Sequence, residues 1–302
     1  MGRAHGAGRG FVLAAGIVGL ATFATACTDV SDPQTSALPT TARTGPSTTT
    51  APAPTKITLP PAPPGAKWSL AFADDFKGSK LDGAHWSTCY SFAATTCTNS
   101  TSKELELYTP RNVSVASGEL LLGAAREVAN ASGRRFDYTS GMISSAGLDR
   151  TMFSFRYGFI EARARVPVGR GLWSAFWLLP RGDAVLPEID IFEIVGHQVG
   201  IVREYTHWQD AGGEQQFANA THLDDTSGGW HVYGLDWEPS ALTWYVDGRK
   251  VWSMDYAPAV PKVDMTIIAN LAVGGGYATA PIAQTRFPAF LRFDYIKVWR
   301  HS

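Results

Sequence analysis

From residue 68 onward, apolar and polar positions mostly alternate every second residue, the period of a strand with one buried face. In YGFIEARARV (157–166), Phe159, Glu161, Arg163 and Arg165 fall on one face, and Ile160, Ala162, Ala164 and Val166 on the other. LELYT (105–109), NVSVAS (112–117), ELLLGAA (119–125) and HVYGLDWEP (231–239) are further strand candidates. ALTWYVDGRKVWSM (241–254), DMTIIANLAV (264–273) and FLRFDYIKVWR (290–300) continue the series. Asp247-Gly248, between two β-rich runs, predicts a tight hairpin turn. No stretch beyond 68 sustains a helical period with caps. The pattern predicts an all-β sandwich with a face open enough to hold a long ligand.

One run breaks the alternation. LPEIDIFEIVG (186–196) carries Glu188, Asp190 and Glu193 among apolar neighbours. Glu188 and Asp190 share a face, whereas Glu193 has the wrong parity. Ile189, Ile191 and Phe192 argue against a simply solvated face. Two other readings stay open: a calcium site built from alternating carboxylates, or a catalytic pair with a helper between them. A β-bulge after Ile191 or at Phe192 would add one residue and turn Glu193 onto the face of the other two. Carboxyls roughly 5–5.5 Å apart suit glycosidic cleavage with retention of configuration. Just upstream, GLWSAFWLLP (171–180) holds Trp173, Phe176 and Trp177. Phe176 is expected in the core. Trp173 and Trp177 are expected to line a sugar cleft, where pyranose faces lie on indole rings, with core filling as the alternative.

The N-terminal part reads differently. Arg3, His5 and Arg9 precede an apolar run from Phe11 to Ala26, too short for a membrane span and suited to a signal peptide. The run ends in ATAC, and the segment resembles a bacterial lipoprotein signal in which Cys27 is lipidated; ordinary cleavage with Cys27 incidental is the alternative. Residues 31–65 are dominated by Pro, Thr and Ser and contain no aromatic, so they are expected to form an extended tether. The expected organisation is therefore a signal at 1–26, a lipidated tether at 27–65, and a folded domain at 66–302. All ten tryptophans lie in that domain. Cys89 and Cys97 are expected to close a local disulfide, as befits an exported protein. The net charge of −1 gives no reason to expect a nucleic-acid partner.

EIDIFE (188–193), with its flanks, resembles glycoside hydrolase family 16, whose members are concanavalin-like β-jelly-roll sandwiches of two antiparallel sheets with a substrate cleft. KELELYTPRNVSV (103–115), YTSGMISS (138–145), FSFRYGFIEARARVPVGRGLWSAFWLLP (153–180), GWHVYGLDWEPSALTWYVDG (229–248), NLAVGG (270–275) and FDYIKVW (293–299) carry the resemblance in order. It implies that Glu188 is the nucleophile, Glu193 the general acid/base and Asp190 an assisting carboxylate. The longer form of the acidic motif resembles the laminarinase branch, which implies endo-cleavage of β-1,3-glucan. Mixed-linkage glucan, agar or carrageenan substrates, transglycosylation and a non-catalytic sugar-binding protein remain as alternatives.

Lys103 and Glu106 depart from the Asn and Gln that laminarinases usually carry, and Ser174 from the usual Pro. GIVREYTHW (200–208) is a blurred version of the family's histidine segment, in which His207 and Trp208 still match. His207, Trp208, Glu106 and Asn270 are expected to contact sugar, although a lone His is as readily structural. The resemblance also implies no cofactor for catalysis but a structural calcium ion, held by Asp294 with carbonyls near Asp75 and Gly118. A monomer is expected, bound to a membrane only through its lipid.

Overall fold

The alternating runs pair into two stacked antiparallel sheets. The computed structural model describes residues 59–62, 65–93, 97–223 and 229–302. The signal, Cys27 and most of the tether lie outside these residues. One sheet runs Arg249–Met254, Leu242–Val246, His231–Trp237, Gly158–Arg165, Ala289–His301, Glu119–Ala124 and Val113–Ala116, with Trp68–Asp74 also paired to Ala289–His301. The other runs Gly213–His222, Ile201–Asp210, Glu188–Val195, Leu172–Pro180, Met265–Val273 and Met142–Ser144. Together they form a jelly-roll sandwich. Among the described residues, no helix is long and apolar enough to cross a membrane.

Between the sheets lies a continuous apolar core. Ile160, Ala162 and Ala164 face Leu172, Phe176, Leu178, Ile189, Ile191 and Phe192 there, all nearly devoid of solvent. Phe176 is thus a core residue, as expected. The Asp247-Gly248 turn takes positive φ at both positions (51° and 75°), the requirement of the tightest hairpins. Asp247 also accepts hydrogen bonds from the Val232 amide at 2.9 Å and pairs with His231 at 2.8 Å, tying the turn to the neighbouring strand.

The other face of Gly158–Arg165, which carries Phe159, Glu161, Arg163 and Arg165, is largely covered. Glu161 accepts a 2.6 Å hydrogen bond from the Tyr295 hydroxyl, and Arg163 pairs with Asp294 beneath the ring of Trp230. Trp68, Tyr245 and Trp299 gather around Phe159. An aromatic layer shields this face, and only Arg165 at its end is exposed.

Glu204 is an unexpected resident of the interior. It lies on Ile201–Asp210 with Val202, Thr206 and Trp208, and is fully buried. Asn219 donates to its Oε2 at 2.9 Å, while Oε1 has no partner. Burial raises its pKa from 4.5 to about 7, against hydrogen bonds from Thr221 and Asn219 that pull the other way. The folded chain therefore holds this proton more tightly than the unfolded chain. The resulting stability is complete below pH 4.5, drains away as pH rises toward 7, and is absent above it. Glu204→Gln should remove this dependence. Relative to the variant, the native chain should lose on the order of 3 kcal/mol across that window in denaturant titrations. Parallel pH profiles for the two proteins would show that Glu204 does not titrate this way.

Candidate active site

The acidic strand Glu188–Val195 carries one residue too many for both neighbours. Against Leu172–Pro180, Phe176 sits opposite Phe192 and Trp177 opposite Asp190, so Ile191 has no counterpart. Against Ile201–Asp210, Asp190 pairs with Tyr205 and Glu193 with Arg203, three residues matched by two. This is the bulge that the parity of the three acids required. Ile191 and Phe192 consequently both enter the core, at 2% and 0% exposure. Glu188, Asp190 and Glu193 all line one cleft. A bulge strands backbone groups that the ladder would otherwise pair. Here the indole N–H of Trp244, from the opposite sheet, donates to the Asp190 carbonyl at 2.9 Å.

The cleft has a volume of about 320 Å³ and lies on the six-stranded sheet's face away from the core. Trp173 and Ala175 point into it from Leu172–Pro180, whereas Ser174 between them is buried outside it. The departure at Ser174 therefore leaves the cleft surface untouched. Trp177 is only 7% exposed and packs with Tyr90, Tyr108, Met142 and Leu179 in a small apolar cluster under the floor. Its indole N–H donates to Asn270 Oδ1 at 2.8 Å, and the Asn270 amide donates to the Tyr108 hydroxyl at 2.9 Å. This chain fixes the floor. Trp173 is more open and meets Tyr277 at 5.7 Å between ring centroids.

The Cys89–Cys97 disulfide is present, with Cα atoms 5.2 Å apart. The segments beside it bring Phe92, Asn99 and Glu104 to the cleft wall. Lys103 holds a left-handed backbone (φ 59°), a conformation that asparagine adopts more readily.

Burial dominates the electrostatics. It raises the pKa of Glu188 well above the usual carboxylate range, and the charges of Asp190 and Glu193 push it further. Burial raises Glu193 as well, and the Asp190 charge adds to it, while Arg203 and Trp173 pull it back. Asp190 is also raised by burial but is restrained by His207 and by its hydrogen bond with Glu188. The His207 Nε2 lies 3.4 Å from Asp190 and 4.0 Å from Glu188, and Nδ1 lies 3.6 Å from Glu214. Burial disfavours the charged imidazole, but the bonds and charges of Asp190 and Glu214 outweigh it, and the His207 pKa rises. Three carboxyls so placed do not all ionise together. Such an arrangement can hold one carboxyl protonated near neutral pH, the state that acid chemistry needs.

Two expected sugar contacts lie elsewhere. Trp208 follows His207 in the same strand and so points to the opposite face, where it joins the core cluster and packs on Phe217. Glu106 is completely buried below the cleft and accepts the Val273 amide at 2.8 Å. Its neighbour Glu104, two positions earlier, is the acid that reaches the wall. The alternation of ELELYT (104–109) could have indicated a buried acid at one of these sites, but not which one bordered the cleft.

The expected calcium ligands are not free. Asp294 is paired with Arg163 at 2.9 Å, and Asp75 with Lys297 at 2.7 Å and Lys77 at 3.5 Å. Gly118, in the turn before Glu119–Ala124, offers only its backbone. Asp75 and Gly118 were expected to offer only carbonyls, but with its carboxylate neutralised by Arg163, Asp294 does not fit the part of the one side-chain ligand as placed. Among the described residues, the acid–histidine groups close enough to share a cation are Glu188, Asp190 and His207, and Asp236, Glu238 and His301.

Sandwich and cleft together define the jelly-roll class of carbohydrate-active proteins. The chain belongs to glycosyl hydrolases family 16, whose sequence pattern matches residues 91–287. It is 34% identical over 188 residues to an endo-1,3-1,4-beta-glycanase, EglC, of Rhizobium meliloti, covering 62% of this chain and 39% of the relative. It is 31% identical over 280 residues to glucan endo-1,3-beta-glucosidase A1 of Niallia circulans, covering 82% of this chain and 40% of that one. This chain thus spans about two-fifths of the length of either relative. Its fold is similar to the catalytic domain of an endo-1,3-beta-glucanase (laminarinase) from Thermotoga petrophila. That match has a TM-score of 0.67 and 28% identity, covering 78% of this chain and 98% of the other.

The bulge ties the cleft to the core through Trp244. Trp244→Phe keeps an aromatic ring but leaves the Asp190 carbonyl buried without a donor. Such a loss should lower stability by about 1–3 kcal/mol in chemical denaturation. An unchanged midpoint would mean that the bulge does not depend on this bond.

Proposed function

We propose that this protein is a retaining, endo-acting β-glucan hydrolase that cuts β-1,3-glucosidic bonds through a covalent glycosyl-enzyme intermediate. The observation that carries the reading is the bulge at Ile191–Phe192, which sets Glu188, Asp190 and Glu193 along one cleft. The β-1,3 linkage rests on similarity to an endo-1,3-1,4-beta-glycanase, a glucan endo-1,3-beta-glucosidase and an endo-1,3-beta-glucanase.

In this reading, a Glu188 carboxylate oxygen attacks the anomeric carbon as the bond to the leaving oxygen breaks. Glu193 gives its proton to that oxygen. Esterification removes the Glu188 charge, and Glu193, ionised by its own proton transfer, can then act as a base. Glu193 then accepts a proton from water, which attacks the anomeric carbon and releases Glu188. Asp190, hydrogen-bonded to Glu188 and restrained by His207, tunes both steps. Trp173 supports a pyranose face at the rim, while Trp177 and Asn270 form the floor beneath it.

Laminarin-type glucan should yield a ladder of oligosaccharides before glucose, with the first products retaining the β configuration in proton NMR. Glu188→Ala should abolish turnover. Glu193→Ala should keep a measurable first step on substrates with activated leaving groups, which need little protonation. Initial release of the α anomer would overturn the retaining geometry, and full activity of Glu188→Ala would overturn the assignment. Activity on agarose or carrageenan with none on laminarin would overturn the substrate.

The apolar run before Cys27 and the proline-rich segment support export with a lipid anchor. A stable anchor needs more than one acyl chain, because each buried methylene adds about 0.8 kcal/mol. Cys27→Ser should release active protein to the medium or leave an unprocessed precursor. A native protein found wholly soluble, with a mature start elsewhere, would exclude the anchor.

A further inference from the structure

Trp208 sits where the strand Ile201–Asp210 turns its back on the cleft. The residue is 6% exposed, yet its indole N–H has no partner among the described residues. Its ring lies 5.0 Å from Phe217 and 5.9 Å from Tyr256, and those two meet at 5.7 Å with planes 79° apart. Phe217 and Tyr256 are 38% and 49% exposed, so two large rings stand open to water beside a buried, unsatisfied donor. Trp208 also walls a recess of about 300 Å³, with Leu186, Pro187, Gln209, Pro258 and Lys262. Leu186 lines the cleft as well, so the two hollows share a wall.

We propose that Phe217, Tyr256 and the Trp208 recess form a second glucan-binding site, outside the cleft, for another stretch of the polysaccharide. The inference rests on the β-glucan reading above. A pyranose has an apolar face of C–H groups ringed by hydroxyls. The exposed rings suit that face, and the orphan indole N–H, Gln209 and Lys262 suit the hydroxyls. An unmet buried donor costs free energy that a sugar oxygen would recover. The shared Leu186 wall makes a chain already held in the cleft the natural occupant. The site would hold long or insoluble glucan near the catalytic carboxylates and contribute nothing to short substrates.

The test uses the full chain carrying Glu188→Ala, so that substrate persists, and insoluble β-1,3-glucan as the probe. Adding Tyr256→Ala or Phe217→Ala should weaken binding in depletion assays by about tenfold, the equivalent of about 1.4 kcal/mol for a lost stacking contact. Trp208→Phe, which keeps the packing ring but lacks the N–H, should also weaken it. In the otherwise native enzyme, Tyr256→Ala should leave hydrolysis of short soluble oligosaccharides unchanged. Equal affinity in all variants would overturn the site while leaving the functional reading intact. So would a native dimer, seen by sedimentation, that Tyr256→Ala dissociates, because the patch would then bind a second copy. A native enzyme that hydrolyses no β-glucan removes the functional reading, and this site with it.

Discussion

The extra residue between Asp190 and Glu193 is the constraint on which the cleft depends. In a regular strand Phe192 would face solvent and Glu193 would enter the core. A phenylalanine would be lost from the packing, and an unpaired charge would be buried beside Phe176 and Tyr233, a far worse exchange than the bulge itself. The bulge lets two consecutive apolar residues fill the interior. Phe192 contacts Phe176 and Tyr233 there, with ring centroids 5.9 and 4.4 Å apart. The cost of the irregularity is a disrupted ladder, and Trp244 meets part of it from the facing sheet. Core packing and the placement of the three acids are therefore one decision made at one backbone position.

Crowding the acids follows from that placement, and so does the way their charge is managed. Burial and mutual repulsion both favour protonation, and without counterweights the cleft would be neutral and inert. Arg203 on one side and His207 on the other supply partial compensation. They stand on the same strand, four residues apart, each two positions from Tyr205. The floor is arranged differently. Trp177, Asn270 and Tyr108 form a hydrogen-bonded chain of neutral side chains, so the floor of the cleft is tied together without adding charge beneath the acids.

The period-two pattern in the sequence revealed the main strands because most of them have one face in the core. Parity alone required the bulge, since three carboxylates on one strand have no other economical arrangement. The hairpin Ile201–Asp210 and Gly213–His222 was harder to read. GEQQFANATH has no fully buried position, so its polar and apolar residues leave no periodic trace. Without that hairpin, the opposite facing of His207 and Trp208 was not visible, and matching the two by motif assigned both to sugar. Glu104 and Glu106 show a related limit. They share a parity, and only the loop folded over them determines which one borders the cleft. Asp294 looked available because its cationic partner lies far away in sequence. Arg163 is 131 positions from Asp294, beyond the reach of any local pattern.

The strand Ile201–Asp210 concentrates these tensions. Its odd positions present Arg203, Tyr205 and His207 beside the acids, and its even positions send Val202, Glu204, Thr206 and Trp208 inward. Substitution on the first face changes what the cleft binds, and on the second what the sandwich can bury. The two are separable because a strand projects successive side chains to opposite sides. Departures from the family's usual histidine segment can therefore reshape the cleft at Tyr205 without disturbing the core. The same freedom admitted a carboxyl at Glu204 that the interior only half satisfies. A strand one step from the edge of its sheet, flanked on its outer side by a solvent-facing partner, is the place where such a group is most easily tolerated, because local opening there exposes few other buried residues.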